Sequence, residues 1–424
     1  MPATFNIARR HLLLGGAGLA LSGCAPTSAF ARQSALPRTQ AVLDAWIADG
    51  RLPGATVGVR FGTGAPVFLQ AGAVDYGAAP TTPDSLFRIY SMTKPVTGVA
   101  AALLIEDGLL TLDTPVADVI PEFAALRVAT DPEHSLDTVP LTSPMRVRHL
   151  LTHTSGLSYH FMDQGPVSAA YRRAGVFPVT GFNLAPDPAL DAPTVVDLDA
   201  MARALATIPL RFQPGSAYHY SCGLDVLGLV IQRVSGMSFP DFVQRRLLNP
   251  IGMSDTVWRL RPGDADRFAA FYFFENGGRE LIDGPANSDY AKPVTLFAGG
   301  AGLVSSTRDY LAFLSTVLND GKAGSVQVMR PETARLIHTD IMAADMTSEN
   351  GAGFGFGGSV KRLVDPATGA VTPGDWGWSG AAGTKGWINP QRGFAAVLMV
   401  QFFPWGASSI QEEIVAALEA DLAA

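Results

Sequence analysis

The chain has 424 residues, 47% of them hydrophobic, and a formal net charge of −7. That length can bury a large core, in one big domain or two interleaved lobes. Lysine is scarce (Lys94, Lys292, Lys322, Lys361 and Lys385 are the whole set) and the arginines are scattered, so no basic tract exists and nucleic acid is excluded as a partner.

At the N-terminus Arg9-Arg10 precede an apolar run, Leu12 to Leu21, the charged-then-apolar pattern of an export signal. Two cleavage sites compete. Ala29-Phe30-Ala31 is a small-x-small site before Arg32, and Leu21-Ser22-Gly23-Cys24 resembles a lipoprotein box, with Cys24 the lipidation candidate. The lipoprotein reading is preferred and implies a lipid anchor to a membrane; the other implies a soluble periplasmic protein. Only Cys24 and Cys222 exist, so no intramolecular disulfide is expected in the mature protein. No later run reaches the ~20 uncharged residues of a membrane span.

Helical spacing of Val42, Leu43, Trp46 and Ile47 predicts a first helix over Leu36–Ile47. Ala55–Phe61 and Pro66–Ala71 then alternate as strands joined at Gly62-Thr63-Gly64, a hairpin signal. Next comes Phe87-Arg-Ile-Tyr-Ser91-Met-Thr-Lys94-Pro95, the one Ser-x-x-Lys in the chain, followed by an apolar run from Val96 to Ile105. A serine opening that helix shares a face with the lysine three residues on. A desolvated amine there can take the serine's proton and make it a nucleophile. The helix is apolar nearly all round and should be buried, ending at Gly108.

From Leu109 to about Pro293 the pattern reads as helices and long loops, with helices over Val196–Ile208, Leu224–Val234 and Phe239–Leu248 and a loop or lid over Met162–Pro193. A helix over Thr307–Leu318 follows. Strands return at Trp376–Gly380, Gly383–Ile388 and Phe394–Phe402, before a last helix over Ile410–Leu422. The expected fold is α/β (α+β): one antiparallel sheet built from both chain ends and flanked by helices, with a mostly helical lobe inserted. The sheet lobe takes residues 36–90 and 294–424, and the helical lobe 91–293.

Two further pieces carry chemistry. Tyr220 sits in a turn before an apolar helix, where a phenol near an ammonium can serve as base or proton relay. Trp378-Ser379-Gly380-Ala381 opens a strand with little bulk, where backbone N–H groups can approach a carbonyl. Each alone reads better as structure: a buried aromatic, and a tight sheet edge. The seven histidines show no metal-ligand spacing, so no metal or other cofactor is expected. His153 reads as the cap or brace of a turn; His219, next to Tyr220, could touch the site, but its alternation with Tyr220 favours the opposite face. No Gly-x-Ser-x-Gly elbow occurs.

Together Arg88–Pro95, His149–Leu157, Pro214-Gly215, Tyr220, Gly299–Ser305 and Trp378–Gly380 resemble the penicillin-recognising serine hydrolases: class C β-lactamases, D-alanyl-D-alanine peptidases and, most closely, family VIII carboxylesterases. The resemblance runs from about Leu36 to Gln401. It implies a β-lactamase/transpeptidase-like fold, Ser91 as acylated nucleophile, Lys94 as its activating amine, and Tyr220 at the tyrosine of Tyr-x-Asn. Trp378-Ser379-Gly380 falls at Lys-Thr-Gly, with an oxyanion hole from the N–H groups of Ser91 and Ala381.

Two positions depart from that pattern. Cys222 replaces an asparagine that contacts the lysine and the substrate amide, and Trp378 replaces a lysine that helps hold a substrate carboxylate. Both losses disfavour β-lactams and favour a small neutral ester as substrate. A β-lactamase or D-amino-acid peptidase, a transacylase and a catalytically silent penicillin-binding-like module are the competing readings. Oligomeric state is not legible.

Protein purified from a native bacterial host should begin at lipidated Cys24 or at Arg32. Intact-mass measurement of exported protein still starting at Met1 would refute both cleavage sites.

Overall fold

The computed structural model describes residues 36–178, 194–275, 277–364 and 371–423. The export segment with Cys24, and residues 179–193 of the expected loop, lie outside them. Seven strands form the main sheet. The N-terminal part supplies β1 (Gly54–Phe61) and β2 (Val67–Gly72). The C-terminal part supplies β3 (Gly353–Phe354), β4 (Ser359–Val364), β5 (Val371–Ser379), β6 (Lys385–Asn389) and β7 (Phe394–Met399). Their order in space is β3-β4-β5-β6-β7-β1-β2, and every neighbouring pair is antiparallel. The two chain ends meet where β7 pairs with β1, with Val57 opposite Leu398 and Phe61 opposite Phe394. A sheet built from both ends is therefore what the chain forms.

Period-two alternation sorts the side chains of β7 onto two buried faces. Phe394, Ala396 and Leu398 join Leu43 and Trp46 of α1 (Pro37–Ala48) on one face, which is also packed by Ile410, Ile414 and Leu418 from the C-terminal helix. Ala395, Val397 and Met399 face the main core on the other. That core contains two central helices, α2 (Thr93–Glu106) and α3 (Gly223–Ser235), and α4 (Thr307–Leu318); the C-terminal helix is α5 (Ile410–Leu422). Gly58 of β1 lets α4 approach closely: a Cβ there would stand 3.0 Å from the Thr307 methyl and 3.1 Å from Leu311. As expected from its composition, α2 is buried from Thr93 through Leu104 and stops before Gly108, whose φ is +74°.

The stretch read as helices and loops contains more strand than expected. Phe271–Glu275 and Gly278–Asp283 form a hairpin, and Phe402–Phe403 adds to it in parallel. The aromatic run Phe271-Tyr272-Phe273-Phe274 carried that strand preference. The strand expected over Phe394–Phe402 breaks in two around Gln401. Its amide there bonds the backbone of Arg88 on both sides, accepting from N–H at 3.3 Å and donating to C=O at 3.1 Å.

Arg88 ends the short strand Leu86–Arg88, which pairs with Val304–Ser306. Its guanidinium is fully buried. Nε donates to Asp283 Oδ2 at 2.6 Å, and Nη1 to Ala269 O at 2.6 Å and Gln401 Oε1 at 3.0 Å. The Phe268 ring lies 3.8 Å from the guanidinium carbon. A buried charge survives only with this degree of pairing. Arg88→Met should strand the Asp283 carboxylate and lower unfolding free energy by about 3–5 kcal/mol, read from the urea midpoint. A shift below about 1 kcal/mol would mean the pair is not holding the hairpin.

Candidate active site

The site begins with a backbone exception. Tyr90 is buried and adopts φ +40°, a left-handed conformation that few side chains other than glycine tolerate. Its ring packs with Phe271 and Ala382, so surrounding structure over-determines the turn. One 3-10 turn, Tyr90–Met92, then runs directly into α2. Tyr310 donates to Met92 O at 2.8 Å, and Thr93 Oγ1 accepts from Leu303 N–H at 3.1 Å. Ser91 emerges half-buried on this braced turn.

Spacing of three does bring serine and lysine together. Lys94 Nζ lies 3.2 Å from Ser91 Oγ and donates to Gly300 O at 2.8 Å. Lys94 is 1% exposed, and its Nζ stands 4.6 Å from the Tyr220 ring centroid and 5.5 Å from that of Tyr159. Gly300 is also held through the peptide unit before it, its N–H donating to Asp225 Oδ1 at 2.7 Å. Tyr159 donates to Asp225 Oδ2 at 3.3 Å. Only glycine fits: a Cβ on residue 300 would stand 2.7 Å from Asp225 Oδ2 and 2.9 Å from the Tyr159 hydroxyl. Burial pushes the Asp225 carboxyl up to about 6, against the opposing pull of the Lys94 charge and of these hydrogen bonds.

Tyr220 completes the group, its hydroxyl 2.7 Å from Ser91 Oγ. The turn before α3 holds it there. His153, buried at φ +57°, uses Nδ1 to accept from Ser221 N–H at 3.1 Å and its carbonyl to accept from His219 N–H at 2.9 Å. The His153 ring lies 4.6 Å from that of Tyr220. Burial first, and the Lys94 charge second, keep this imidazole well below its ordinary value, so it is a neutral brace. His219 faces away as anticipated, its Nε2 bonded to Ser158 Oγ at 2.9 Å.

Trp378 reaches the site from β5. Its Nε1 donates to the Tyr220 hydroxyl at 3.4 Å, the two rings lie 5.8 Å apart, and Phe354 packs on Trp378 at 5.0 Å. Gly380 lets the turn after β5 press on the segment that leads into Ser91, since a Cβ there would stand 2.5 Å from Ile89 O. Within that turn Gly380 N–H goes to Thr384 O, Gly383 N–H to Gly380 O, and Ala382 O accepts from Phe402 N–H. The N–H of Ala381 is not among these bonds, and the residue is half-buried.

Two expected site residues fall elsewhere. Ser379 alternates with Trp378 and therefore lies on the opposite side of β5, where Oγ donates to Gln411 Oε1 of α5 at 3.1 Å. Cys222 is the N-cap residue of α3 and fully buried, its thiol pushed well up by burial, so it presents no surface at the site. The polar contact to Lys94 expected at that position comes from Gly300 O. The sequence reading missed Asp225, Gly300 and Tyr159. An acid at the start of the apolar run Leu224-Asp225-Val226 and the paired Gly299-Gly300 were the available signals. Among the described residues no group of three or more His, Cys, Asp or Glu gathers to hold a metal.

The Beta-lactamase family model matches residues 39–421. The chain belongs to the beta-lactamase family. Within it the relatives include hydrolases and acyltransferases. Esterase EstB of Burkholderia gladioli is 32% identical over 383 residues, which cover 85% of this chain and 89% of the esterase. Acyltransferase calJ of Penicillium decumbens is 28% identical over 367 residues, 79% of this chain and 80% of its own. Among solved structures, EstCE1, described as a hydrolase with promiscuous acyltransferase activity, superposes with TM-score 0.76 at 27% identity, over 92% of this chain and 99% of its own. This beta-lactamase-family chain thus has the beta-lactamase/penicillin-binding-protein fold and belongs among serine hydrolases and acyltransferases with esterase relatives.

The raised carboxyl of Asp225 yields a pH test. At about 6 in the fold against an ordinary 3.8, its ionisation costs stability, a cost that grows as pH rises from about 4 to 6 and is relieved on acidification. Activity should move the opposite way, because protonation removes the anion behind Lys94. kcat/KM should fall below pH about 6, and Asp225→Asn should flatten that acid limb at a lower plateau. An unchanged limb in the variant would assign it to another group.

Proposed function

We propose that this chain is a serine carboxylesterase acting on small or medium neutral esters through an acyl-enzyme on Ser91. The observation that carries the reading is Ser91 Oγ within hydrogen-bond reach of both Lys94 and Tyr220, at 3.2 and 2.7 Å, with Trp378 beside them. In the reactive form the Tyr220–Lys94 pair holds one proton fewer than a phenol plus an ammonium; Ser91 Oγ attacks the ester carbonyl and its proton passes to that pair. The N–H groups of Ser91 and Ala381 take the developing oxyanion. The C–O bond to the alcohol then breaks, and the leaving alkoxide receives the proton held by the pair. A water molecule next attacks the acyl carbon, again giving a proton to the pair, which returns it to Ser91 as the carboxylic acid leaves.

Trp378 supports the choice of neutral esters. It offers an N–H and an aromatic face where a lactamase would present an ammonium to a substrate carboxylate. A second reading, acyl transfer to an alcohol acceptor, is supported by the acyltransferase relatives and uses the same acyl-enzyme with an alcohol in place of water.

Ser91→Ala should abolish turnover of a nitrophenyl ester, and Tyr220→Phe should lower it ~10²–10⁴-fold with the fold intact by circular dichroism. Mass spectrometry should find the acyl adduct on Ser91 in the wild type. Wild-type enzyme should prefer the ester to a chromogenic cephalosporin, and Trp378→Lys should move that ratio roughly tenfold or more towards the lactam. A wild type that already prefers the lactam would overturn the esterase reading. Alkyl-ester product formed with added alcohol would favour the transferase.

A further inference from the structure

A row of aromatic rings leads away from the catalytic groups. Trp378, Tyr220, Tyr159 and Phe161 follow one another at centroid spacings of 5.8, 5.6 and 5.0 Å. The inner rings touch the chemistry: Tyr220 bonds Ser91, Trp378 bonds Tyr220, and Lys94 lies over both Tyr220 and Tyr159. Tyr159 is only 2% exposed, with Phe161 stacked nearly parallel on it at an interplanar angle of 14°. Phe161 itself is 52% exposed. It is held from the side by His160, whose ring meets it edge-on at 5.0 Å and meets Phe177 at 4.3 Å. A large flat ring is thus held at the outer end of a row that passes Tyr220 beside Ser91, and among the described residues about half of its surface is exposed.

The chemistry decides which half of an ester would lie along this row. When the C–O bond of the tetrahedral intermediate breaks, the leaving oxygen needs the proton held at Tyr220, so the alcohol fragment must lie on Tyr220's side. The row extends from that residue. The acyl fragment, with its carbonyl oxygen at Ser91 and Ala381, turns the other way. Aromatic faces pair favourably with flat rings and less so with puckered or branched groups of equal bulk.

We propose that Phe161 is the outer wall of an alcohol-side subsite and that the preferred substrates are esters of flat, benzyl-type aromatic alcohols. This rests on the acyl-enzyme reading above and adds to it the identity of the recognised half.

Benzyl acetate and cyclohexylmethyl acetate release alcohols of similar bulk, one flat and one puckered. Wild-type enzyme should favour the benzyl ester in kcat/KM by roughly three- to tenfold, the range of one or two ring contacts. Phe161→Ala and Phe161→Leu should bring the ratio close to one, mainly through a higher KM for benzyl acetate, whereas Phe161→Tyr should keep it. A wild-type ratio near one, or a ratio that Phe161→Ala leaves unchanged, overturns the proposal. So does an equal loss by Phe161→Ala towards methyl benzoate, which carries its ring on the acyl half. Hydrolysis of none of these esters, with no adduct on Ser91, would instead overturn the esterase reading itself.

Discussion

Lys94 is the constraint from which the site follows. An ammonium that is 1% exposed inside an apolar helix needs acceptors, and Gly300 O and Ser91 Oγ supply them. Gly300 can serve because its N–H is tied in turn to Asp225 on α3. One buried charge therefore locks α2, α3 and the Gly299–Leu303 segment at a fixed spacing. Ser91 sits where those three meet. Asp225 shares this duty at a cost, since its own carboxylate is destabilised by the same burial.

The Ser91 turn is supported equally from behind. Arg88, Asp283 and Gln401 bind the strand before Ser91 to the Phe271–Asp283 hairpin and to the segment after β7. Tyr90 fills the space between them in a left-handed conformation. The turn after β5 then closes on Ile89 because Gly380 has no side chain. Elements from four distant parts of the chain thus hold one serine, and the sheet assembled from both chain ends makes that convergence geometrically feasible.

Around this polar centre the shell is aromatic rather than charged. Tyr220 is flanked by His153, Tyr159 and Trp378, and Phe354 backs Trp378. His153 is kept neutral by burial, and Lys94 is the cation beside Ser91. In the acyl-enzyme reading proposed above, negative charge at the Tyr220 oxygen is met by Lys94 and by the Trp378 N–H, and the aromatic faces add no second cation for a substrate carboxylate.

Local features were legible in the residue order because they depend on neighbours in the chain. Spacing of three placed Ser91 and Lys94 on one face, the uniformly apolar run after them announced a buried helix, and alternation with glycine at the turn marked β1 and β2. Thr307–Leu318 and Ile410–Leu422 carried their periodicity from end to end. Comparison with a known pattern added Tyr220 and Trp378, which no spacing relates to Ser91. Where the pattern was carried over position by position it misplaced Ser379 and Cys222, since which face of a strand or helix entry points at a site depends on what packs behind it. Asp225 and Gly300, separated from Lys94 by more than a hundred residues each, meet it only through the packing of α2 against α3. Residue order alone was enough to place Ser91, Lys94 and the helix that carries them side by side, because helical geometry is local. Which distant groups satisfy that lysine, and which side chains surround Ser91, follows from packing between segments far apart in the chain, because a buried charge takes its partners from whatever the fold brings within hydrogen-bond reach.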